Sequence, residues 1–250
     1  MNNITRTIIA GGIGSLLEMY DFVIYILVSA ILATLFFPAG NQFDSLVMTY
    51  GTFAAGFLAR PFGSLLFGHL GDIIGRKKVL LWTIFLMALS TICIALMPSY
   101  QRIGIFAPIL IILSRLVQGI AVGGEFAGAI TFVSEHASRR HRGFVTSWMF
   151  FFINMGIMFA SGTCSLLTHV MTPLGFKHWG WRILFLIGSC IAILGILVRN
   201  TISETPLFNE AKSTRNLTAY PLKILFKQQR HALYKGFGVT FVSQFLLAWF

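Results

Sequence analysis

The chain has 250 residues, 56% of them hydrophobic, with 25 Phe and a mean hydropathy of +0.79. Only 11% are charged, against about 25% in an ordinary soluble domain, and a soluble fold of this size has no interior able to hide so much apolar surface. The formal charge of +11 sits in connectors between apolar runs, without zinc spacing or a base-reading basic helix, so nucleic-acid binding and soluble enzymology give way to an integral membrane protein.

In chain order, one cation, Arg6, precedes a first apolar run over 8–37 that holds Glu18 and Asp21. Two acids inside the run argue for a retained first span rather than a cleaved signal peptide. Its length predicts a tilt or a kink. After Pro38 and a short polar loop with Asp44, span 2 covers 46–67 and contains Arg60-Pro61. The stretch Gly68–Lys78, GHLGDIIGRKK, reads as a tight connector whose three glycines let the backbone turn. Asp72 and Arg76, four apart, are placed to pair if that piece is helical.

Span 3 is expected over 79–97 and span 4 over 105–134, the latter carrying Arg115, Gln118, Gly119, Gly123, Gly124 and Glu125. The connector EHASRRHR, Glu135–Arg142, supplies a second charged cluster. Span 5 follows over 144–171, then a loop around Pro173–Gly180 and span 6 over 181–198. The longest hydrophilic stretch is 199–235. The apolar run over 236–250 reaches only about 15 residues of the roughly 20 needed to cross, so it is expected to begin a truncated second bundle.

Fourteen Lys and Arg lie in the N-terminus and the connectors after spans 2, 4 and 6, against three (Arg102, Lys177, Arg182) on the opposite side. This asymmetry places the N-terminus and the 199–235 loop in the cytoplasm. Acids beside glycine in spans 1 and 4 fit a three-plus-three inverted repeat. Cys93, Cys164 and Cys190 all lie in apolar runs, at no metal-ligand spacing, and are expected as small buried hydrophobes.

Charges inside spans are costly and mark either a function or a buried pair. Glu18 and Asp21 are three apart in span 1 and share a broad face. Neighbouring carboxylates resist double ionisation, which suits a proton-coupled site; the alternative is that both simply pair with Arg60 or Arg115. Arg115 is suited to hold a carboxylate bidentately, from a solute or a neighbouring helix. Glu125, ten residues on, lies about 15 Å along the helix from Arg115, so the two are not a contact pair. Gly119, Gly123 and Gly124 admit a close helix neighbour. Arg60 is expected to bond the carbonyl freed by Pro61 or to snorkel.

GHLGDIIGRKK resembles the loop 2–3 signature of the major facilitator superfamily through Gly68, Asp72, Gly75, Arg76, Lys77 and Lys78, with Ile73 where a cation is usual. Arg115-x-x-Gln118-Gly119 resembles its span 4 motif. A narrower likeness is to the metabolite–proton symporters, which include proline/betaine, 2-oxoglutarate, citrate and shikimate carriers. It runs through GSLLEMYDF, ARPFGSLLFGHLGD, RLVQGIAVGGEFAGA, Arg142-Gly143, Trp181-Arg182 and Glu204-x-Pro206-x-Phe208. The resemblance implies an all-α polytopic protein: a six-span N-terminal bundle (1–198), a cytoplasmic central loop (199–235) and the start of a second bundle (236–250).

It further implies a non-enzymatic, proton-coupled symporter of a small polar or anionic metabolite, an osmolyte or a carboxylate, in a bacterial inner membrane. No cofactor beyond the coupling proton, no metal and no nucleic acid enter the expectation. The partners are the solute, the bilayer and, with half a rocker unable to alternate access, a separately encoded second half. Glu18, Asp21, Arg115 and Glu125 are expected on the solute or proton path. Gly68, Asp72, Gly75, Arg76, Lys77, Gln118 and Gly119 are expected in gating and packing motifs. The rival expectation is a membrane fragment or interaction protein that does not transport.

Overall fold

The computed structural model describes residues 3–214 and, farther on, 229–231, 234–236 and 238. The expected start of a seventh span and most of the hydrophilic stretch beyond 214 lie outside the described residues. Among the described residues all regular structure is helical: α1 (Asn3–Leu27), α2 (Ser29–Phe36), α3 (Gln42–Ile74), α4 (Arg76–Leu96), α5 (Tyr100–Ile103), α6 (Phe106–His136), α7 (Arg142–Val170), α8 (Pro173–Gly175), a π-helical turn (Phe176–Gly180), α9 (Trp181–Asn200) and α10 (Pro206–Ser213).

The long first run breaks where a kink was expected. Val28 leaves helical geometry at φ −100°, ψ 8°. Its N–H still bonds to Ile24 O at 3.0 Å, and Leu32 N–H bonds back to Val28 O at 3.0 Å. The break between α1 and α2 is therefore a bend in one continuing rod. The loop expected around Pro173–Gly180 is helical instead: α8, the π turn and α9 run together as one 28-residue apolar helix from Pro173 to Asn200. Pro173 sits in its first turn, where proline costs no hydrogen bond.

The connector expected over Gly68–Lys78 shrinks to one residue. Helix α3 runs through Gly68, Gly71 and Asp72, and only Gly75 leaves the helix, at φ +105°. The turn needs a single glycine, because a Cβ in that conformation would strain the backbone and would also collide with the Glu204 carboxylate.

Among the described residues five helices are long and apolar enough to cross a bilayer: α1, α4, α6, α7 and the α8–α9 rod. The 33-residue α3 falls short on hydropathy, diluted by Arg60, Pro61 and a series of Gly and Thr residues. The bundle is built from paired contacts of α3 with α6 and α1 with α7, of α4 with α6 and α9 with α1, and of α4 with α9. Exchanging α1, α3 and α4 for α6, α7 and α9 maps these contacts onto themselves, which is the geometry expected of a three-plus-three repeat.

The interior pairs apolar mass with polar tips, of which the two tyrosine hydroxyls are satisfied while Trp181 Nε1 has no hydrogen-bond partner among the described residues. Tyr20, Tyr25, Phe36, Trp181 and Phe185 are fully buried in one cluster toward the end opposite the basic connectors. Tyr20 donates its hydroxyl to Leu184 O at 3.0 Å and Tyr25 to Thr49 O at 3.2 Å, so neither ring buries an unmet hydroxyl. Large side chains such as Leu58, Phe62, Phe150, Met158 and Leu197 stand outward, as they do when the surrounding solvent is hydrocarbon. The cysteines depart from expectation. Cys93 and Cys190 are exposed, on outward helix faces that lipid rather than a protein core makes apolar, whereas Cys164 is half-buried against the interior cluster.

Candidate functional site

Glycines on the crossing of α3 and α6 set the site's width. A Cβ on Gly119 would fall on Gly56 O, one on Gly123 on Arg60 O, and one on Gly63 on Ile120 O. The two backbones thus touch over two helical turns, as the sequence pattern of small residues foretold. Gly124 faces Phe67 in the same contact.

This crossing opens beside α1 into a crevice of about 30 Å³, lined by Glu18, Asp21, Phe22, Phe53, Phe57, Arg60, Arg115 and Gln118 among others. A volume of that order holds about one water. Three of the four expected pathway residues meet here, from two helices distant in sequence.

A relay of hydrogen bonds crosses the bundle at Asp21. Thr91 Oγ1 of α4 donates to Asp21 Oδ2 at 2.6 Å, and Gln118 Nε2 of α6 donates to the same oxygen at 2.7 Å. Arg115 Nη1 in turn donates to Gln118 Oε1 at 2.6 Å. Arg115 therefore reaches Asp21 through the glutamine and does not bind it directly. Its guanidinium lies 3.7 Å from the centre of the Tyr25 ring, which steadies a desolvated cation. Asp21 Oδ1 and Arg115 Nε and Nη2 are buried without a hydrogen-bond partner among the described residues. Buried groups of this kind normally find partners, so the crevice has both acceptor and donor capacity to offer a small polar guest.

Glu18 is handled differently. Its Oε1 lies 3.3 Å from Arg60 Nη1, while Oε2 has no hydrogen-bond partner among the described residues. Arg60 neither snorkels away nor caps the carbonyl freed by Pro61. Its guanidinium stacks 4.1 Å from the Phe57 ring centre and 5.9 Å from that of Phe22.

Glu125, the fourth expected pathway residue, does not line the crevice. It is fully buried among α1, α4, α6 and α9, where Arg199 Nη2 binds its Oε1 and Arg199 Nη1 lies 3.1 Å from its Oε2. Thr83 Oγ1 donates to Glu125 Oε2, and Arg199 Nε donates to Ala10 O at 2.9 Å. Arg199 does not open a cytoplasmic connector. It occupies the last turn of α9 at 3% exposure. Arg115, the cation of its own helix, lies about 15 Å away along α6, so the buried Glu125 requires a cation from elsewhere, and a lone arginine ending an apolar run is the signal that could have named Arg199. Thr83 and Thr91 carry no comparable signal: a threonine in an apolar span reads as filler until its neighbour is known.

At the basic end Arg76 Nη2 meets Asp72 Oδ1 at 2.5 Å across the Gly75 break, and Arg76 Nε lies 3.9 Å from Glu135 Oε1. Glu204 accepts the Lys77 backbone N–H at 2.9 and 3.1 Å, supplying the negative cap that α4 lacks in its own basic first turn. Lys77 Nζ donates to Asn200 O at 3.0 Å. Gly68 has open space around it. Among the described residues no group of three or more His, Cys, Asp or Glu side chains is arranged to hold a metal.

Residues 7–228 match the family model described as "Sugar (and other) transporter". The chain is 41% identical over 205 residues to the proline/betaine transporter of Escherichia coli K12, covering 82% of this chain and 41% of that one. It is 38% identical over 224 residues to the alpha-ketoglutarate permease of the same strain, covering 89% and 51%, and 36% identical over 248 residues to the inner membrane metabolite transport protein YhjE, covering 99% and 55%. The chain thus spans about half the length of the curated relatives it matches. Among solved structures, the partially occluded inward-open xylose transporter XylE of E. coli superposes with a TM-score of 0.78 at 19% identity, over 87% of this chain and 52% of that one. The chain belongs to the sugar (and other) transporter family, an assemblage of transporters rather than enzymes, and it folds as half of a major facilitator protein.

Proposed function

We propose that this chain forms the N-terminal, six-span half of a proton-coupled symporter, a bundle that ends with α9 at Asn200, followed by a cytoplasmic central loop (201–235) and the beginning of a second bundle (236–250). Its solute is a small polar or anionic metabolite, an osmolyte or a carboxylate, carried across a bacterial inner membrane. The α3 helix supplies span 2 and completes the six: at 33 residues it is about 50 Å long, more than a bilayer requires. The N-terminus and the basic end lie in the cytoplasm.

The observation that carries the reading is the Asp21–Gln118–Arg115 relay at a crevice between tightly crossed helices. It presents a buried carboxylate and a buried guanidinium with unmet hydrogen-bonding capacity, the two functions needed to take up a proton and an ionised solute near mid-membrane. Glu18 belongs to the same path. Glu125 joins its helices as a buried ion pair, while Asp72, Gly75, Arg76 and Lys77 bias which end is closed, with Gly68 giving room and Gln118 and Gly119 setting the relay and the crossing.

Counterflow in proteoliposomes tests this, with a panel of amino acids, betaines and dicarboxylates and the proline/betaine transporter of E. coli as control. The chain reconstituted together with a second six-span half should exchange one class of solute, and concentrative uptake should collapse with a protonophore. If none exchanges while the control does, the chain is a fragment or interaction module that does not transport. Reporter tags placed after Ala137 and Lys177 should land in opposite compartments; a shared compartment would refute the six-span threading.

A further inference from the structure

We propose that Arg60 is a tethered occupant of an organic-cation site formed by Glu18, Phe22 and Phe57, and that the site is free to bind a compact ammonium or guanidinium ion once the arginine withdraws. The use of such a site rests on the transport reading above; its existence does not.

Three observations carry the inference. The first is the composition of the walls. A carboxylate and two aromatic faces form the surround that stabilises an organic cation by charge and ring quadrupole together. The Arg60 guanidinium already sits in it, 3.3 Å from Glu18 Oε1 and 4.1 Å from the Phe57 ring centre. Phe57 and Phe22 also touch each other, edge to face at 5.3 Å, so the aromatic wall is preformed.

The second is unfilled capacity. Glu18 lines the crevice and is 5% exposed, yet its Oε2 is buried without a hydrogen-bond partner among the described residues. A carboxylate accepts from several donors at once, and Arg60 engages one oxygen only.

The third is the looseness of the occupant. The Arg60 side chain remains 27% exposed at the crevice mouth. A guanidinium built to stay is held as Arg199 is, by both oxygens of a carboxylate and by backbone carbonyls. Arg60 is long enough to swing outward along the α3 surface while its place is taken by the cationic end of a solute, so the arginine competes with the solute and sets which cations enter.

The test needs no transport. Arg60→Ala vacates the site, and thermal unfolding of the purified chain in detergent is followed with millimolar tetramethylammonium or methylguanidinium, with sodium at equal ionic strength as control. Tm of Arg60→Ala should rise by roughly 2–4 °C. Wild type, its site filled, should respond at least several-fold less, and Arg60→Ala with Glu18→Gln should not respond. An equal shift in wild type, or a folded Arg60→Ala that ignores both cations, overturns the proposal. Arg60→Gln serves as the second variant if alanine does not fold. Failure of both to fold also overturns it, since Arg60 would then be a fixed strut. Cation binding without counterflow would leave the site standing and remove the transport reading; counterflow without cation binding would do the reverse.

Discussion

The bundle holds two glutamate–arginine pairs, and they are built to opposite ends. Glu125–Arg199 is sealed, at 0% and 3% exposure, with a threonine and the backbone carbonyls of Ala10 and Leu80 completing its hydrogen bonds. Glu18–Arg60 touches through one oxygen at 3.3 Å and opens to the crevice with Arg60 at 27% exposure. The same two residue types therefore make a clamp in one place and a movable pair in the other. What separates them is the number of partners that lose their bonds if the pair parts: several for Arg199, one for Arg60.

The sharpest way to break the comparison is Arg199→Ala. It strands a fully buried carboxylate, and the expected loss is about 3–5 kcal/mol. This reads as disappearance of the monodisperse peak on size exclusion or a large fall in Tm. Glu125→Gln should be milder, because its amide still accepts from Thr83 or Arg199. If Arg60→Ala destabilises as much as Arg199→Ala, the two pairs do not differ as described.

A second effect comes from the crossing that frames the open pair. Gly119→Leu drives a side chain into Gly56 O and forces α3 from α6, at a cost of about 1–3 kcal/mol or more. Thermal unfolding in detergent measures it, and Gly68→Leu, where nothing lies near, is the matched control expected to stay near wild type.

Asp21→Asn sharpens the contrast between stability and function. The amide keeps an oxygen for Thr91 or Gln118, so Tm should shift by less than in Arg199→Ala. Proton-driven accumulation should fall to background while solute exchange persists in part. Equal loss of both would assign Asp21 to packing rather than coupling.

The smallest effect is expected at the basic end. Asp72→Asn removes a surface ion pair worth about 0.2–1 kcal/mol, so insertion and Tm should hold while the transport rate changes. An unchanged rate at equal expression would remove the gating role of that pair.

Much of the fold was legible because bilayer physics writes itself into composition. Runs of apolar residues, the placement of Arg76, Lys77 and Lys78, and the close-packing glycines of span 4 each follow from a local rule. Boundaries were less legible. Gly68–Ile74 and Phe176–Gly180 contain glycines and charges that read as loop, yet both stretches are helical, with Gly71, Phe176 and Gly180 buried while Asp72, Lys177 and His178 stay exposed. At the site, the convergence of Glu18, Asp21 and Arg115 on one region was anticipated, since charges in hydrocarbon must find one another. Their actual partners were not: Asp21 bonds Thr91 and Gln118, and Glu125 takes Arg199 from a helix 74 residues away.

The amino-acid sequence by itself determined that this chain lives in a membrane, which end carries the positive charge and which helices approach closely, since each depends on residue type and spacing along one strand of chain. Only the tertiary structure decided which arginine serves which carboxylate. That choice depends on helix rotation and crossing, quantities set by contacts between segments far apart in the chain, and it is what turns one glutamate into a clamp and another into a site.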